Sequence, residues 1–400
     1  MKTPPTDLDE GTIRRIDWQE LCPAVLLPQA VSIATTFRVL WVASFGVLLT
    51  LFLAFSLNGI TGGQAENLVP TDEITRSIHP NIHFPDPTDN HSFFMFRPAP
   101  IPILLPWRTV SGSLYQVFSL RNPVSLGWFC GVSVIWGFCG AIITRTAATQ
   151  VTIGQYSRWS HLGKFLRWRW RSYFAAILIP VAGLAFCAFA VKIAGWLLMV
   201  PVVNLLVAIL FPIVLFLGFC FAILGVGLLF GWPLAFAAVS VDGSDGFDAV
   251  SRSYSYVYQR PLQYLVYAAL GIAIGMIGYF FIAWFVDLAI LLIAGWGNAP
   301  LADFMQGRPE TLVSWVLSFW CWCFQMVKVG FLFGYFWACS TVIYVILRRS
   351  VDGTPIDEIR FPPNDQPGMQ TIPALKTDEK GAPEVVAERQ EPPQSEADTK

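Results

Sequence analysis

Residues 203–230 read VNLLVAILFPIVLFLGFCFAILGVGLLF, and this apolar run decides the class of fold. It contains no Asp, Glu, Lys, Arg or His. A helix needs about 20 mostly apolar residues to cross the hydrocarbon layer of a bilayer, which is about 30 Å thick. The backbone finds no water inside that layer, so a spanning segment has to satisfy its own polar groups as an α-helix. The run therefore predicts a transmembrane helix.

The rest of the 400-residue chain has the same character. Hydrophobic residues make up 54% of it and charged residues 13%, whereas a soluble globular protein carries about 25% charged residues. Five further stretches are long and apolar enough to span: 37–57, 125–147, 173–199, 262–294 and 312–347. The sequence thus predicts an all-α fold, a polytopic membrane helix bundle of about six transmembrane helices with amphipathic interfacial helices.

The segments outside these stretches predict three regions. Residues 1–36 form a cytoplasmic N-terminal segment with an amphipathic helix, 37–361 the six-helix membrane domain, and 362–400 a Pro- and Glu-rich tail that we expect to be disordered. Residues 58–122 form a long connection within the membrane domain, interrupted by Pro98, Pro100, Pro102 and Pro106. Because these prolines forbid a continuous helix, we expect an extracytoplasmic cap on the membrane surface, with a short helix near 110–120.

Lys and Arg are distributed unevenly between the connections, and this predicts the orientation. Cytoplasmic loops carry an excess of both residues. With the N-terminus inside, the inside connections include the basic stretch 158–171 and the pair Arg348 and Arg349, whereas the turn at 201–202 has no basic residue. Six spans then place both termini in the cytoplasm.

The stretch 156–171 carries the strongest surface pattern. On a helical wheel, Leu162, Leu166 and Trp170 share one side, and basic residues cover most of the rest: Arg158, Lys164, Arg167, Arg169 and Arg171. Such a helix lies in the headgroup layer, where each Lys or Arg near an anionic leaflet contributes about 1 kcal/mol. Two interpretations stay open, a binding surface for anionic lipid and a basic anchor that only fixes topology.

Three charged residues lie inside the predicted spans: Lys192, Asp287 and Lys328. Charges are costly at this depth and by default indicate a functional site. All three belong to the outer halves of their helices, so we expect Asp287 and Lys328 to pair and Lys192 to face an anionic ligand or headgroup. The alternative is that both lysines extend to the outer interface.

Other motifs give no catalytic, metal or cofactor site. Asp242, Asp245 and Asp248 lack the alternate spacing and final Glu of a calcium loop, so we interpret them as the capped start of a helix. His79 and His83 are separated by Pro80, which argues against a shared helical face for a metal. No Walker A, HExxH or GxSxG pattern occurs. The sequence predicts no nucleic-acid partner, because its basic residues follow the topology.

Three segments carry a resemblance to known sequences: residues 231–262, GWPLAFAAVSVDGSDGFDAVSRSYSYVYQRPL; 143–148, ITRTAA; and 347–354, LRRSVDGT. Together they resemble a set of uncharacterised multi-pass membrane proteins of planctomycete bacteria, from the N-terminal segment to about residue 359. The resemblance implies a bacterial inner membrane and no activity. Asp248, Ala249 and Ser253 are also similar to a helix in the membrane domain that accompanies some glycerophosphodiester phosphodiesterases, whose catalytic domain this chain lacks.

Three functions remain as hypotheses. The leading one is a non-enzymatic protein that organises the membrane or binds lipid or a partner. Its partners would be membrane lipids, a second copy of the chain or another membrane protein. The second is a transporter component that uses Lys192, Asp287 and Lys328. The third is a membrane enzyme that acts on lipid.

Overall fold

The computed structural model describes residues 22–61, 103–119, 124–296, 312–362, 375–377 and 383–385. Within these ranges the all-α prediction is confirmed. Six helices are long and apolar enough to cross a membrane, and these six define a multi-pass membrane protein. The described ranges hold ten α-helices, after a 3-10 turn at Pro23–Leu26: α1 Gln29–Ala34, α2 Phe37–Thr61, α3 Leu105–Ser119, α4 Val124–Ile153, α5 Trp159–Leu197, α6 Val203–Ile209, α7 Phe211–Asp242, α8 Gly246–Gln259, α9 Pro261–Trp296 and α10 Leu312–Asp352.

The chain divides into two compact units, Met1–Arg360 and Phe361–Lys400. The second unit contains a short antiparallel pair of strands, β1 Leu375–Thr377 and β2 Pro383–Val385, with Lys376 opposite Glu384. These residues depart from the expected disorder of 362–400, which otherwise stays a prediction. The remainder of the fold belongs to the first unit.

The central element of the membrane unit is α10, which packs against α2, α4, α7 and α9. In its most apolar window 94% of the residues are buried, against 11% for α7. Aromatic rings fill the contacts, with Trp136 stacked on Phe333 and Trp337 lying between Trp232 and Phe236. Since lipid tails are as apolar as these side chains, close packing rather than hydrophobicity holds the helices together.

Glycines bring the outer helices close to α10. A Cβ added at Gly275 of α9 would collide with the ring of Tyr335 on α10, and one added at Gly330 of α10 would lie 3.2 Å from the carbonyl oxygen of Leu40 on α2. Neither backbone could approach its neighbour this closely with a larger residue. These small-residue positions therefore serve contacts within one chain.

The basic stretch 158–171 does not form a separate interfacial helix, which corrects the sequence interpretation. Helix α5 runs without interruption from Trp159 to Leu197, so the stretch is the first part of a spanning helix. Its apolar side packs on protein, because Leu162 and Phe165 are buried and the guanidinium of Arg145 lies 3.9 Å from the Phe165 ring centroid. That protein contact holds the stretch in line with the span.

The fourth span also differs from its predicted bounds of 203–230. The structure divides this region at Leu210 into the short α6 and the spanning α7, which continues to Asp242. Pro212 lies in the first turn of α7, where its missing N–H costs no hydrogen bond. The tight turn before α6 places Val202 at φ 75°.

Helix α3 enters the bundle, so residues 103–113 are not part of a surface cap. The indole Nε1 of Trp107 donates to the carbonyl oxygen of Leu229, 3.2 Å away and near the middle of α7. Ile103 packs at Gly275, near the middle of α9. The first turn of α3 therefore lies halfway along the spanning helices, and the connection is re-entrant. The part of the predicted cap at 62–102 lies outside the described residues.

The N-terminal segment contributes a second internal element. Within the region predicted to be cytoplasmic, 1–36, residues 23–34 are packed into the bundle rather than lying on its surface. Leu27, Ala30 and Ile33 are fully buried. Val31 contacts the Gly278 position of α9, near the middle of that helix. An apolar segment too short to span is thus accommodated by burial among the spans. Of the region 1–36, for which one amphipathic helix was predicted, the described part holds the short α1, and residues 1–21 lie outside the described residues.

Candidate functional site

A lateral pocket lies between α7, α9 and α10, with the start of α3 closing one end. Its volume is about 380 Å³, within the usual range for small-molecule sites. Leu104 and Leu265 on its rim are 45% and 50% exposed. The pocket therefore opens at the surface of the helix bundle. Its lining is Ile103, Leu104, Trp107, Phe230, Pro233, Tyr264, Leu265, Ala268, Ala269, Gly271, Ile272, Tyr335, Phe336, Cys339, Ser340 and Ile343.

Small residues on α9 create this space. Ala268, Ala269 and Gly271 line one wall opposite larger side chains of α7 and α10. The hydroxyl groups of the two lining tyrosines are already engaged, since Tyr264 donates to the carbonyl oxygen of Phe230 and Tyr335 to that of Gly271. With these donors occupied, the pocket offers an almost wholly apolar surface to an occupant.

The structure brings together two of the three charges inside the spans. Nζ of Lys328 lies 2.9 Å from Oδ1 of Asp287, and both side chains are buried. Lys192 lies apart from them on an exposed face of α5, with Nζ 6.0 Å from the ring centroid of Trp196. The predicted pair of Asp287 and Lys328 is therefore present, and the expectation that Lys192 faces an anionic ligand or headgroup stays a prediction.

Gln325 is a third buried polar residue on this part of α10, and sequence reasoning missed it. It lies one helical turn before Lys328 on the same face of α10 and is 2% exposed. Both polar atoms of its amide, and Oδ2 of Asp287, have no hydrogen-bond partner among the described residues. The signal was available as a lone glutamine in an apolar run. We call Asp287, Gln325 and Lys328 the Asp287 cluster.

A second buried carboxylate lies where α7 ends. Oδ1 of Asp242 is 3.1 Å from Nε of Arg348, Oδ2 is 3.3 Å from Nη1 of Arg252, and the hydroxyl of Tyr344 donates to Oδ2. We call Asp242, Arg252, Tyr344 and Arg348 the Asp242 cluster. It ties α7, α8 and α10 together at one end of the bundle, a role that the sequence did not reveal for any of these residues.

Helix α8 begins as the sequence predicted and carries Arg252 to this cluster. The side chain of Asp245 accepts from the backbone N–H of Asp248 at 2.8 Å, which is an N-cap, and Asp248 lies in the first turn. Burial lowers the pKa of Arg252, but the hydrogen bond to Asp248 and the charge of Asp242 outweigh it and raise that pKa. Arg252 is therefore a permanent cation.

Ser240 is a third polar junction, shared by α4, α5 and α7. Its hydroxyl oxygen lies 2.7 Å from both Thr144 Oγ1 and Tyr173 OH, and its carbonyl oxygen accepts from Arg145. All four side chains are buried. Their polar groups satisfy one another, so this junction fixes helix positions rather than offering a site to a ligand.

The predicted anionic-lipid surface keeps most of its exposed cations. Arg158, Lys164, Arg167 and Arg171 are exposed on α5. Arg169 is partly buried, with its guanidinium 3.9 Å from the ring centroid of Trp168. The basic side of α5 is thus present at the end of the bundle that also holds α8.

The described residues contain no group of three or more His, Cys, Asp and Glu side chains placed to hold a metal ion. The histidines at 79 and 83 lie outside those residues. No protein-family model, curated protein or solved structure matches this chain. The resemblances that the sequence suggested therefore stay predictions.

Proposed function

We propose that this chain is a non-enzymatic protein of a bacterial inner membrane that binds a membrane lipid in the lateral pocket between α7 and α9. The carrying observation is the pocket itself: about 380 Å³, almost wholly apolar, and open at the surface of the helix bundle through Leu104 and Leu265. An acyl chain has the matching shape and chemistry.

The position of the pocket indicates which leaflet supplies the lipid. The start of α3 closes it near the middle of the spans, and the rest of the lining lies toward the α8 end. The basic side of α5 and the Arg348–Arg349 pair are at that same end. Under the rule that basic connections stay inside, the α8 end and both termini are cytoplasmic, and the bound lipid comes from the cytoplasmic leaflet.

Selectivity would come from the shape of the pocket. Moving an acyl chain from the bilayer into an apolar pocket gains little hydrophobic energy, because both surroundings are apolar. Packing of the acyl chain against Trp107 and Phe336 would supply the difference. The transporter hypothesis loses support because Lys192 lies apart from the Asp287 cluster.

Filling the pocket tests this proposal. Ala268→Phe places a ring in the pocket, and Ala273→Phe places the same ring on an exposed part of α9 outside it. Native mass spectrometry of the detergent-purified chain should show one retained phospholipid for the unmodified protein and for Ala273→Phe, and none for Ala268→Phe. Equal lipid retention by all three proteins, or none by any, would falsify the pocket as a lipid site.

Reporter fusions test the orientation separately. Fusions after Gln150, Asp245 and Ser350 should report from the cytoplasm, and a fusion after Pro201 from the opposite side. A cytoplasmic signal at Pro201 would contradict the proposed topology but leave the pocket proposal standing.

A further inference from the structure

The Asp287 cluster lies in the other half of the bundle from the lateral pocket, and its polar groups are only partly used. One N–H of Lys328 reaches Oδ1 of Asp287 at 2.9 Å. Oδ2 of Asp287 and both amide atoms of Gln325 have no partner among the described residues. All three residues are at most 3% exposed, so bulk solvent does not supply the missing bonds.

The unused atoms define the chemistry of a ligand. The carboxylate oxygen and the amide oxygen can only accept, whereas the amide nitrogen and the ammonium can only donate. A group that bridges them has to donate and accept at the same place. A hydroxyl group does both with one oxygen atom.

The charges of the cluster exclude a free ion as the natural occupant. Lys328 and Asp287 neutralise each other, so a bound cation would be opposed by the ammonium and a bound anion by the carboxylate. Leaving Oδ2 of Asp287 and the Gln325 amide without hydrogen bonds is also unfavourable, because a buried polar group without a partner costs free energy relative to one in water. A neutral hydroxyl avoids both costs.

We propose that the Asp287 cluster binds a neutral hydroxyl group between Gln325 and Asp287, supplied by water or by the headgroup of a polyol lipid. Buried waters in proteins make about three hydrogen bonds to such groups. In the proposed orientation the cluster lies on the outer side of the lateral pocket, because Asp287 follows the pocket residues of α9 and Lys328 precedes those of α10. This inference does not depend on the lipid proposal for the pocket.

A structure of the full chain in lipid nanodiscs, at a resolution that shows water, gives the direct test. The expected result is density within hydrogen-bond distance of the Gln325 amide and Oδ2 of Asp287. Native mass spectrometry separates the two sources: a polyol lipid at this cluster adds a mass that remains in Ala268→Phe and is lost in Gln325→Leu, whereas water adds none. A Gln325 amide bonded directly to Oδ2 of Asp287, or an ion at the site, would overturn the proposal.

A substitution gives a second test with opposite expected signs. If Gln325 holds a hydroxyl, Gln325→Leu removes one partner of a bridged network and lowers the thermal midpoint. If its amide is unpartnered, the same change replaces a buried polar group with an apolar one and raises the midpoint. Gln263→Leu is the control, because Nε2 of Gln263 already donates to the hydroxyl of Tyr267 at 3.2 Å. A rise for Gln325→Leu that exceeds the control contradicts the proposal.

Discussion

The Asp242 cluster and the Asp287 cluster each bury one carboxylate among spanning helices, yet they are built differently. Asp242 meets two guanidinium groups and a tyrosine hydroxyl, so its two oxygens are shared by α8 and α10. Asp287 meets one ammonium group through one oxygen, and its other oxygen has no partner among the described residues. The first cluster joins helices. In the second cluster, Oδ2 of Asp287 and the Gln325 amide can still form hydrogen bonds with a ligand.

The choice of cation reinforces this difference. A guanidinium stays charged under all ordinary conditions, whereas an ammonium can lose its proton and become neutral when its partner is removed. Removing the carboxylate from the Arg-based cluster therefore leaves a buried charge, whereas removing it from the Lys-based cluster leaves an amine that can become neutral. A buried acid is therefore a fixed structural contact when its partners are guanidinium groups, and a site whose charge can change when its partner is an ammonium group. Four predictions test this difference.

The largest effect is expected for Asp242→Asn. It leaves the guanidinium of Arg348, whose side chain is 6% exposed, without its buried counter-charge. Loss of one member of a buried ion pair costs about 3–5 kcal/mol, and we expect about 4 kcal/mol of the free energy of unfolding, measured by SDS titration in mixed micelles. A loss below that of Lys328→Gln would contradict the contrast between the clusters.

Single changes in the Asp287 cluster should cost less. We expect about 3 kcal/mol for Asp287→Asn and for Lys328→Gln, because each removes one member of a buried pair, and the ammonium left by Asp287→Asn can lose its proton. The double variant should be milder than the two losses added, by about 1–3 kcal/mol. Strict additivity in the same SDS titration would show that the two side chains do not interact. Lys192→Gln, on an exposed face, is the control and should change little.

The cap of α8 should have a smaller effect. Asp245→Ala removes the acceptor of the Asp248 N–H, and loss of an N-cap should cost about 1 kcal/mol of the free energy of unfolding. The cap matters to the Asp242 cluster because α8 carries Arg252. Asp245→Asn retains a capping oxygen and should recover most of the loss. Equal losses for both substitutions would indicate that charge rather than capping matters.

The smallest effect is expected at the edge of the Asp242 cluster. Asp248 pairs with Arg252 at 3.1 Å, but its side chain is 44% exposed. Exposed pairs of this spacing contribute about 0.3–0.5 kcal/mol, so Asp248→Asn should lower the free energy of unfolding by no more than that. A loss near that of Asp242→Asn would mean that charge count, not burial, controls the cluster.

Local patterns could be predicted from the sequence, and distant contacts could not. The six spans follow from apolar length, and the Asp245 cap follows from adjacent residues. The Asp242 cluster joins Asp242 to Arg348 across more than a hundred residues, and no local pattern reports such a pair. Arg348 was interpreted only as a marker of topology, although it is buried.

The re-entrant helix and the course of α5 escaped prediction for related reasons. Pro106 and the prolines before it indicated an interrupted backbone, but not whether it lies on the surface or inside the bundle. The bond from Trp107 to Leu229 and the packing of Ile103 at Gly275 decide that. Likewise, the basic side of α5 suggested a helix in the headgroup layer, whereas its contact with Arg145 keeps it continuous with the span.

The half-length helix α3 has a consequence for biosynthesis. Its partners on α7, α9 and α10 are made long after it, and Trp107 bonds to a residue 122 positions later. A segment of 15 residues is too short to be held across a bilayer by itself. We therefore expect α3 to wait at the membrane surface during translation and to enter only when the later helices have been inserted. The lateral pocket, which α3 closes, would then be completed as one of the last steps of assembly.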